Sequence, residues 1–363
     1  MSNSPFRYTL TVTTHQAGRT IRSLLQHELK FSTRLQRNPE FRVRVQCNDR
    51  PAFLHERVKV GDVLSVPLPI EVATVTPERI PIDICYEDEQ VLVVNKPAGM
   101  LTHPSAKERQ GSLLAAVSAY LQPHQQVPHC VHRLDRETSG VVMFARHAHF
   151  HHLFDMGLRE GKMHRSYCAL VRPPRPRRVS LSVYTPYETT EKEPWHTINL
   201  PIGQDPQHPS QRVITDKGQR AVTHFLVLAR TDTAWLVLVR LETGRTHQIR
   251  LHFSAAGMPL LGDPVYGDRQ DTILWSEKNR ILNSPFDSNL DPHEGGLVQQ
   301  VGRYDKQSNR RQSLHALRLS WQDPMTGIFQ QAYAPVALDL QNLWKLNGGD
   351  SDIWDNLKPH LEN

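Results

Sequence analysis

The sequence has little that would carry it into a membrane, out of the cell or around a metal ion. No run of its 363 residues approaches the roughly 18 apolar residues that span a bilayer. The opening residues hold no long apolar stretch, which argues against a secretory leader and for a cytoplasmic protein. The four cysteines, Cys47, Cys85, Cys130 and Cys168, form no CxxC pair. That excludes a zinc knuckle or a CxxC redox centre and leaves reduced thiols as the expected state. No HExxH motif and no internal repeat occurs.

What is present fits a globular protein of two or three domains, with 38% apolar and 22% charged residues. The net charge of +6 is unevenly placed. Residues 1–70 hold eleven Lys and Arg against five acids, an excess equal to that of the whole chain. A basic module on a near-neutral body suits a polyanion anchor, and equally a solvated basic face.

The pattern divides the chain. Ile21, Leu24, Leu25 and Leu29 recur at helical spacing, and Ser32-Thr33 reads as the cap of a second helix. Phe41, Val43, Val45 and Cys47 alternate with Arg42 and Arg44, which predicts a half-buried strand. Asn48-Asp49 is a turn, and Val63–Val66 a last short strand after Gly61-Asp62. Prolines at 67, 69, 77 and 81 mark a linker. The expected units are a module over 1–70, a linker over 71–82, a catalytic domain over 83–340 with a polar insertion at about 268–313, and a tail over 341–363. Within the large unit, 91–94, 140–145, 166–171, 221–228 and 235–241 read as strands, and 112–121 and 246–256 as helices. Residues 172–178 form a basic, proline-broken loop.

Two stretches carry chemistry. His132-Arg133-Leu134-Asp135-Arg136 crowds charge against an apolar strand starting at Val141. Charge at the mouth of a buried strand must be paired or solvated. Asp135 therefore reads as a nucleophile, a general base or a salt-bridge anchor. The run Gly244-Arg245-Thr246-His247-Gln248-Ile249-Arg250-Leu251-His252 reads as a tight glycine turn into a helix. Arg245 stands at the helix entrance, where a guanidinium can fork onto a carboxylate or a phosphate.

Together these stretches resemble the signatures of the RluA-type pseudouridine synthases. The resemblance also takes in Asn95-Lys96-Pro97-Ala98-Gly99 with His103-Pro104, Tyr167–Val171, Gly262-Asp263-Pro264-Val265-Tyr266-Gly267, and Leu314-His315-Ala316 with Leu319. It covers about residues 80–335. Residues 15–66 are similar to S4-like RNA-binding modules, with Asn48-Asp49 in place of the usual Asn-Gly turn and Val43 in place of a glycine.

The resemblance implies an α/β (α+β) fold with a bent, mostly antiparallel central sheet. It implies Asp135 as nucleophile, Arg245 as its pairing arginine and Tyr167 stacked on the target base. It also implies that Arg133 helps displace that base and that Ile249 packs beside it. Arg165 stands where the family often has lysine. The substrate-facing set is then Arg133, Arg136, His132, Arg165, Ile249 and Arg250, and the RNA-binding set of the module Arg19, Arg22, Arg34, Arg42 and Arg44.

Isomerising uridine to pseudouridine changes no oxidation state and adds no group, so no cofactor and no metal is expected. The expected partner is RNA, ribosomal RNA ahead of transfer RNA, and the protein is expected to be a monomer that engages no membrane. Two other readings stay open. His147, His149, His151 and His152 are dense enough to suggest a metal site, although no carboxylate is spaced to complete one; a solvated or RNA-facing cluster is the plainer reading. A non-catalytic assembly factor would keep the basic surface and lose the reactive carboxylate.

Overall fold

The computed structural model describes residues 6–174, 184–187, 195–267, 311–355 and 357. Most of the expected insertion at 268–313, and positions 175–178 of the basic loop, lie outside these.

The N-terminal module is a four-stranded sheet, ordered β1 (Arg7–Thr11), β4 (Val63–Pro67), β2 (Gln46–Cys47), β3 (Arg50–Pro51), with three short helices. In α1 (Ile21–His27), Thr20 Oγ1 caps the helix by accepting the Ser23 N–H at 3.2 Å. Ile21, Leu24, Leu25 and the following Leu29 are buried, as their spacing requires. Ser32 caps α2 (Thr33–Arg37) in the same way.

The strand expected over 41–47 is largely absent. Asn38 caps α3 (Pro39–Arg42), with Pro39 in its first turn, and only Gln46–Cys47 is extended. Phe41 and Val45 are buried, but Val43 is 74% exposed. A spacing of four residues satisfies both a helix and a strand, so only Val43 separates the two readings. Asn48 and Asp49 both take positive φ (+52° and +61°), as a two-residue type I′ hairpin turn requires.

The body is built on a long mixed sheet. Its elements in chain order are β5 (Asp83–Glu87), β6 (Val91–Lys96), α4 (Leu113–Leu121), β7 (His129–Cys130), β8 (Ser139–Ala145), α5 (Ala148–Arg159) and β9 (Met163–Val171). Then come β10 (Tyr184–Tyr187), β11 (Trp195–Asn199), the small β12 (Ile202–Gln204)–β13 (Arg212–Ile214) hairpin, β14 (Val222–Arg230) and β15 (Trp235–Leu241). Last are α6 (Gln248–Ala255), β16 (Leu314–Gln322), β17 (Phe329–Tyr333) and α7 (Leu338–Leu346).

The strand order is β10-β11-β14-β15-β9-β16-β8-β6-β5, with β17 on β16 and β7 on β8. Every pairing is antiparallel except β8 with β16. Strand β8 is buried throughout, as its uninterrupted apolar run demands. Gly140 starts that run at φ +112°, and a Cβ there would stand 2.1 Å from the Ala316 carbonyl oxygen of β16. The glycine is what lets the late strand β16 lie beside β8.

The segment 71–82 is strapped to the body rather than free. Glu71 accepts the Ala148 N–H at 3.1 Å and lies 3.1 Å from His129 Nε2. Glu78 accepts the Gly111 N–H and donates its own to Ala115. Residues 311–313, assigned above to the insertion, are buried core, and Arg311 pairs with Asp339. Helix α7 crosses the expected tail boundary and buries Leu340, Leu343 and Trp344. All four cysteines are free thiols.

The histidine cluster lies at the seam between module and body, with His147 and His149 buried and His151 and His152 partly so. His147 Nδ1 caps α5 by accepting the His149 N–H at 3.0 Å, and its Nε2 is 2.9 Å from the Pro69 carbonyl. Phe6 meets His147 and Phe150 edge-on. His149 stacks on Phe31 at 4.3 Å and meets Tyr8 edge-on. Phe6, Tyr8 and Phe31 belong to the module, so apolar rings weld the two units together.

Burial, with His147 and His152 nearby, pushes the His149 pKa down to about 3. A folded pKa below the unfolded value means stability that is full above about pH 6.5 and lost as pH falls toward 3. Between pH 7 and 5 this residue should withdraw about 2 kcal/mol. Urea unfolding of His149→Phe, which keeps a ring against Phe31, should show a correspondingly smaller loss than wild type; equal losses would remove His149 from the seam's acid sensitivity.

Candidate active site

Three elements converge beside β16: the loop entering β8, the middle of β9 and the turn from β15 into α6. The loop is tied at several backbone groups. Thr102 Oγ1 donates to the Leu134 carbonyl at 2.9 Å and accepts the Leu134 N–H at 3.2 Å. The Thr138 N–H returns to the Asp135 carbonyl at 3.1 Å. Lys96 is fully buried, and its ammonium donates to the carbonyls of Pro97, Met100 and Arg136, each at 2.8 Å. Burial draws its pKa down to about 7. Arg311 and Gln312 hold Glu137 and Thr138 from the other side. Asp135 thus projects from a rigid frame.

Its carboxylate is 23% exposed. Oδ2 accepts from Arg250 Nη1 at 3.2 Å. Arg250 is itself forked onto Asp263, Nε to Oδ2 at 2.7 Å and Nη2 to Oδ1 at 2.9 Å. Asp263, 1% exposed, also accepts the N–H groups of Val265 and Tyr266. Burial raises its pKa, but Arg250 and these bonds outweigh that and hold it below the usual carboxylate value. Burial likewise lowers Arg250, and the two aspartates more than reverse the effect. The Tyr266 ring lies 5.1 Å from the guanidinium carbon.

The pairing expected of Arg245 is therefore made by Arg250. Arg245 is exposed at the cleft rim, where its Nε donates to the Arg220 carbonyl at 3.1 Å. The reason is the geometry of the turn. Gln248 is buried and its Oε1 receives the Arg245 N–H and the Thr243 hydroxyl, so α6 starts at Gln248 and Arg245 precedes it. The left-handed residue of this turn is His247 (φ +59°), not Gly244. Gly244 is needed for another purpose: a Cβ there would meet Arg165 Nη1 at 2.8 Å. Arg165 passes across the bare glycine into the cleft, its Nε buried without a hydrogen-bond partner.

Tyr167 lies mid-strand in β9, between Val239 of β15 and Ala316 of β16, and its side chain lines the cleft. Burial raises its pKa, opposed by Arg165 and reinforced by Asp135, so the phenol stays protonated. Ile249 and Arg133 line the same cleft, Ile249 buried and Arg133 exposed.

His132 and Arg136 do not line it. His132 is buried behind the loop, and its Nε2 accepts the Met143 N–H. Burial and the charge of Arg165 push its pKa to about 3. Arg136 is exposed and pairs with Glu108. In the module, Arg22, Arg34 and Arg42 are exposed and Arg44 half-buried, whereas Arg19 is engaged by Glu28 at 2.6 Å.

Among the described residues no three His, Cys, Asp or Glu side chains gather as a metal cage. Residues that sequence reasoning left without a role are Asp263, Tyr266, Lys96 and His247. His247 Nε2 is 3.8 Å from Asp135 Oδ2, and its Nδ1 is 3.0 Å from the Tyr266 hydroxyl. The signal for the first two was the 262–267 motif, whose acid and aromatic lie in a stretch without periodicity.

Residues 90–255 match the family model described as RNA pseudouridylate synthase. That span contains Asp135, Tyr167 and Arg250 and stops short of Asp263. The chain is 32% identical to an uncharacterized RNA pseudouridine synthase of Bacillus subtilis, YhcT, over 90% of this chain and 93% of that one. It is 34% identical to ribosomal large subunit pseudouridine synthase D of Pseudomonas aeruginosa, over 74% and 72% respectively. With the synthase D of Escherichia coli the identity is 30%, over 81% and 79%.

Arg250→Ala should unfold about 3–5 kcal/mol more easily, because it strands a buried Asp263 anion. Its rate should fall roughly 100-fold or more, since Asp135 loses its bearing. Arg245→Ala, at an exposed position, should stay within about 0.5 kcal/mol of wild type. Urea denaturation with single-turnover kinetics on both variants decides between the two arginines; the reverse ranking would return the pairing role to Arg245.

Proposed function

The chain belongs to the RNA pseudouridylate synthase family, and from that membership we propose that its target is large-subunit ribosomal RNA and that Asp135 is its nucleophile. It is an isomerase that converts uridine to pseudouridine in RNA. The bond from nitrogen 1 to the ribose breaks, the uracil turns, and carbon 5 joins the same sugar carbon. A uracil stacked in RNA cannot offer that bond to a side chain, so the nucleotide must be turned out of the helix.

The observation that carries the catalytic assignment is the chain of contacts Asp263–Arg250–Asp135 ending in a cleft walled by Tyr167. A carboxylate pre-aimed by a fixed cation needs no reorganisation when it meets the sugar. It attacks the ribose carbon or removes a ribose proton on a glycal-like route; both begin from the same placement. The protonated Tyr167 ring offers the extruded base an apolar face. Arg133, exposed at the mouth, is suited to fill the gap the base leaves. The partly buried His247 imidazole, its pKa lowered by burial against the pull of Asp135, stands beside the nucleophile as a neutral donor or acceptor.

The ribosomal target is supported by the Pseudomonas and Escherichia relatives, which are named for that substrate, and by the basic module, read as an RNA anchor. No helix among the described residues is long and apolar enough to cross a membrane. A monomer working on RNA in the cytoplasm is the proposed setting.

Asp135→Asn should reduce pseudouridine formation by at least ~10⁴-fold with RNA affinity near wild type; a fully active variant would remove Asp135 from the chemistry. Pseudouridine mapping of total RNA with and without the gene should lose signal in large-subunit ribosomal RNA, and loss confined to transfer RNA would overturn the target. Replacing Arg22, Arg34 and Arg42 by Ala together should flatten the salt dependence of binding by a slope of roughly 2. An unchanged slope would count against the anchor.

A further inference from the structure

The N-terminal module carries a feature that phosphate anchoring does not use. Large apolar side chains exposed singly are ordinary, but here several adjoin. Phe53 is 70% exposed and Val43 74% exposed. They share a groove of 690 Å³ with Pro39, Pro51, Arg22, Arg42 and His55. That space lies within the roughly 300–1,000 Å³ of ordinary small-ligand sites. The Phe53 and His55 rings are stacked, centroids 5.6 Å apart and planes 20° from parallel.

The groove is built on a fixed frame. Ala52 N–H donates to the Val45 carbonyl at 3.0 Å, and Arg22 N–H to the Leu54 carbonyl at 2.8 Å. The nearby Glu56 carboxylate is turned in to accept the Phe53 N–H at 2.5 Å. Arg42 Nε donates to the Gln36 carbonyl at 2.8 Å, which steadies its head at the rim. No carboxylate lines the groove, and both charged groups that do are arginines.

We propose that Phe53 and His55, which share the groove with Arg22 and Arg42, form a stacking platform for an unpaired base of the RNA, with the arginines on its flanking phosphates. The proposal rests on the reading of the module as an RNA anchor and adds what that anchor recognises: a single-stranded nucleotide beside the duplex backbone. The occupant follows from the chemistry. An aromatic pair offers a π face to any base, and guanidinium groups in the same groove match the charge of the strand that carries it. An apolar protein segment would use the rings and leave both cations unmatched.

The test uses the full chain and two probes, a single-stranded oligouridylate and a perfect RNA duplex of the same length, titrated across a range of salt. Phe53→Ala should weaken oligouridylate binding roughly tenfold, leave duplex binding within about twofold, and keep the salt slope, because stacking releases no counterions. Phe53→Trp should bind the single strand at least as well as wild type. Phe53 is largely exposed, so its loss leaves the core intact, and circular dichroism checks this directly. Arg22→Ala with Arg42→Ala should weaken both probes and flatten both slopes; if it does neither, the anchor reading fails on its own account. Single-strand binding by Phe53→Ala equal to wild type overturns the platform whatever the arginines do, and leaves this face to a protein partner. Equal losses on both probes would overturn it as well.

Discussion

Asp263 is almost wholly withdrawn from water, where a lone carboxylate would be costly. Its two oxygens are consumed by a guanidinium fork and by the backbone amides of Val265 and Tyr266. That arrangement fixes Arg250 in position and direction. It leaves Nη1 as the part of the guanidinium that reaches the cleft, and Asp135 takes it. A buried pair of this kind is weak evidence for stability, since an apolar pair often does as well. What it supplies is direction: the Asp135 carboxylate is aimed by a cation that Asp263 holds in place.

The other side of Asp135 is held by backbone bonding. Lys96 staples the loop at 97–100 to the loop at 136, and its burial is tolerable because three carbonyls replace its water. The late strand β16 lies between β8 and β9, and Gly140 makes room for it. The cleft floor therefore joins segments that are far apart in sequence. Tyr167 and Asp135 keep their relation because the sheet is continuous beneath them.

Charge on this chain divides between two tasks. In the body, three arginines are spent internally, Arg250 on Asp263, Arg311 on Asp339 and Arg165 across Gly244, while Arg133, Arg136 and Arg245 stay exposed. In the module, Arg22, Arg34 and Arg42 face water. Two of the histidines that looked available for solvent or RNA, His147 and His149, became part of the seam instead, because rings of Phe6, Tyr8 and Phe31 cover them. Sequence spacing cannot anticipate such cover, since the partners lie more than a hundred residues earlier in the chain.

Read alone, the order of residues determined the helices with caps, the buried runs and the hairpin turn, because each depends on neighbours within a few positions. It also determined the cleft's Asp135 and Tyr167, through motifs that resemble a known family. It misplaced the strand at 41–47, where residues four apart satisfy two periods at once, and it assigned to Arg245 the contact made by Arg250. Both arginines lie in one motif, and local pattern does not say which faces the loop; that depends on where Gln248 starts the helix and on an acid, Asp263, that belongs to neither segment. Only the tertiary structure decided the pairing, because a buried charge is placed by whichever counter-charge the fold brings to it, and that partner is set by long-range packing rather than by adjacency.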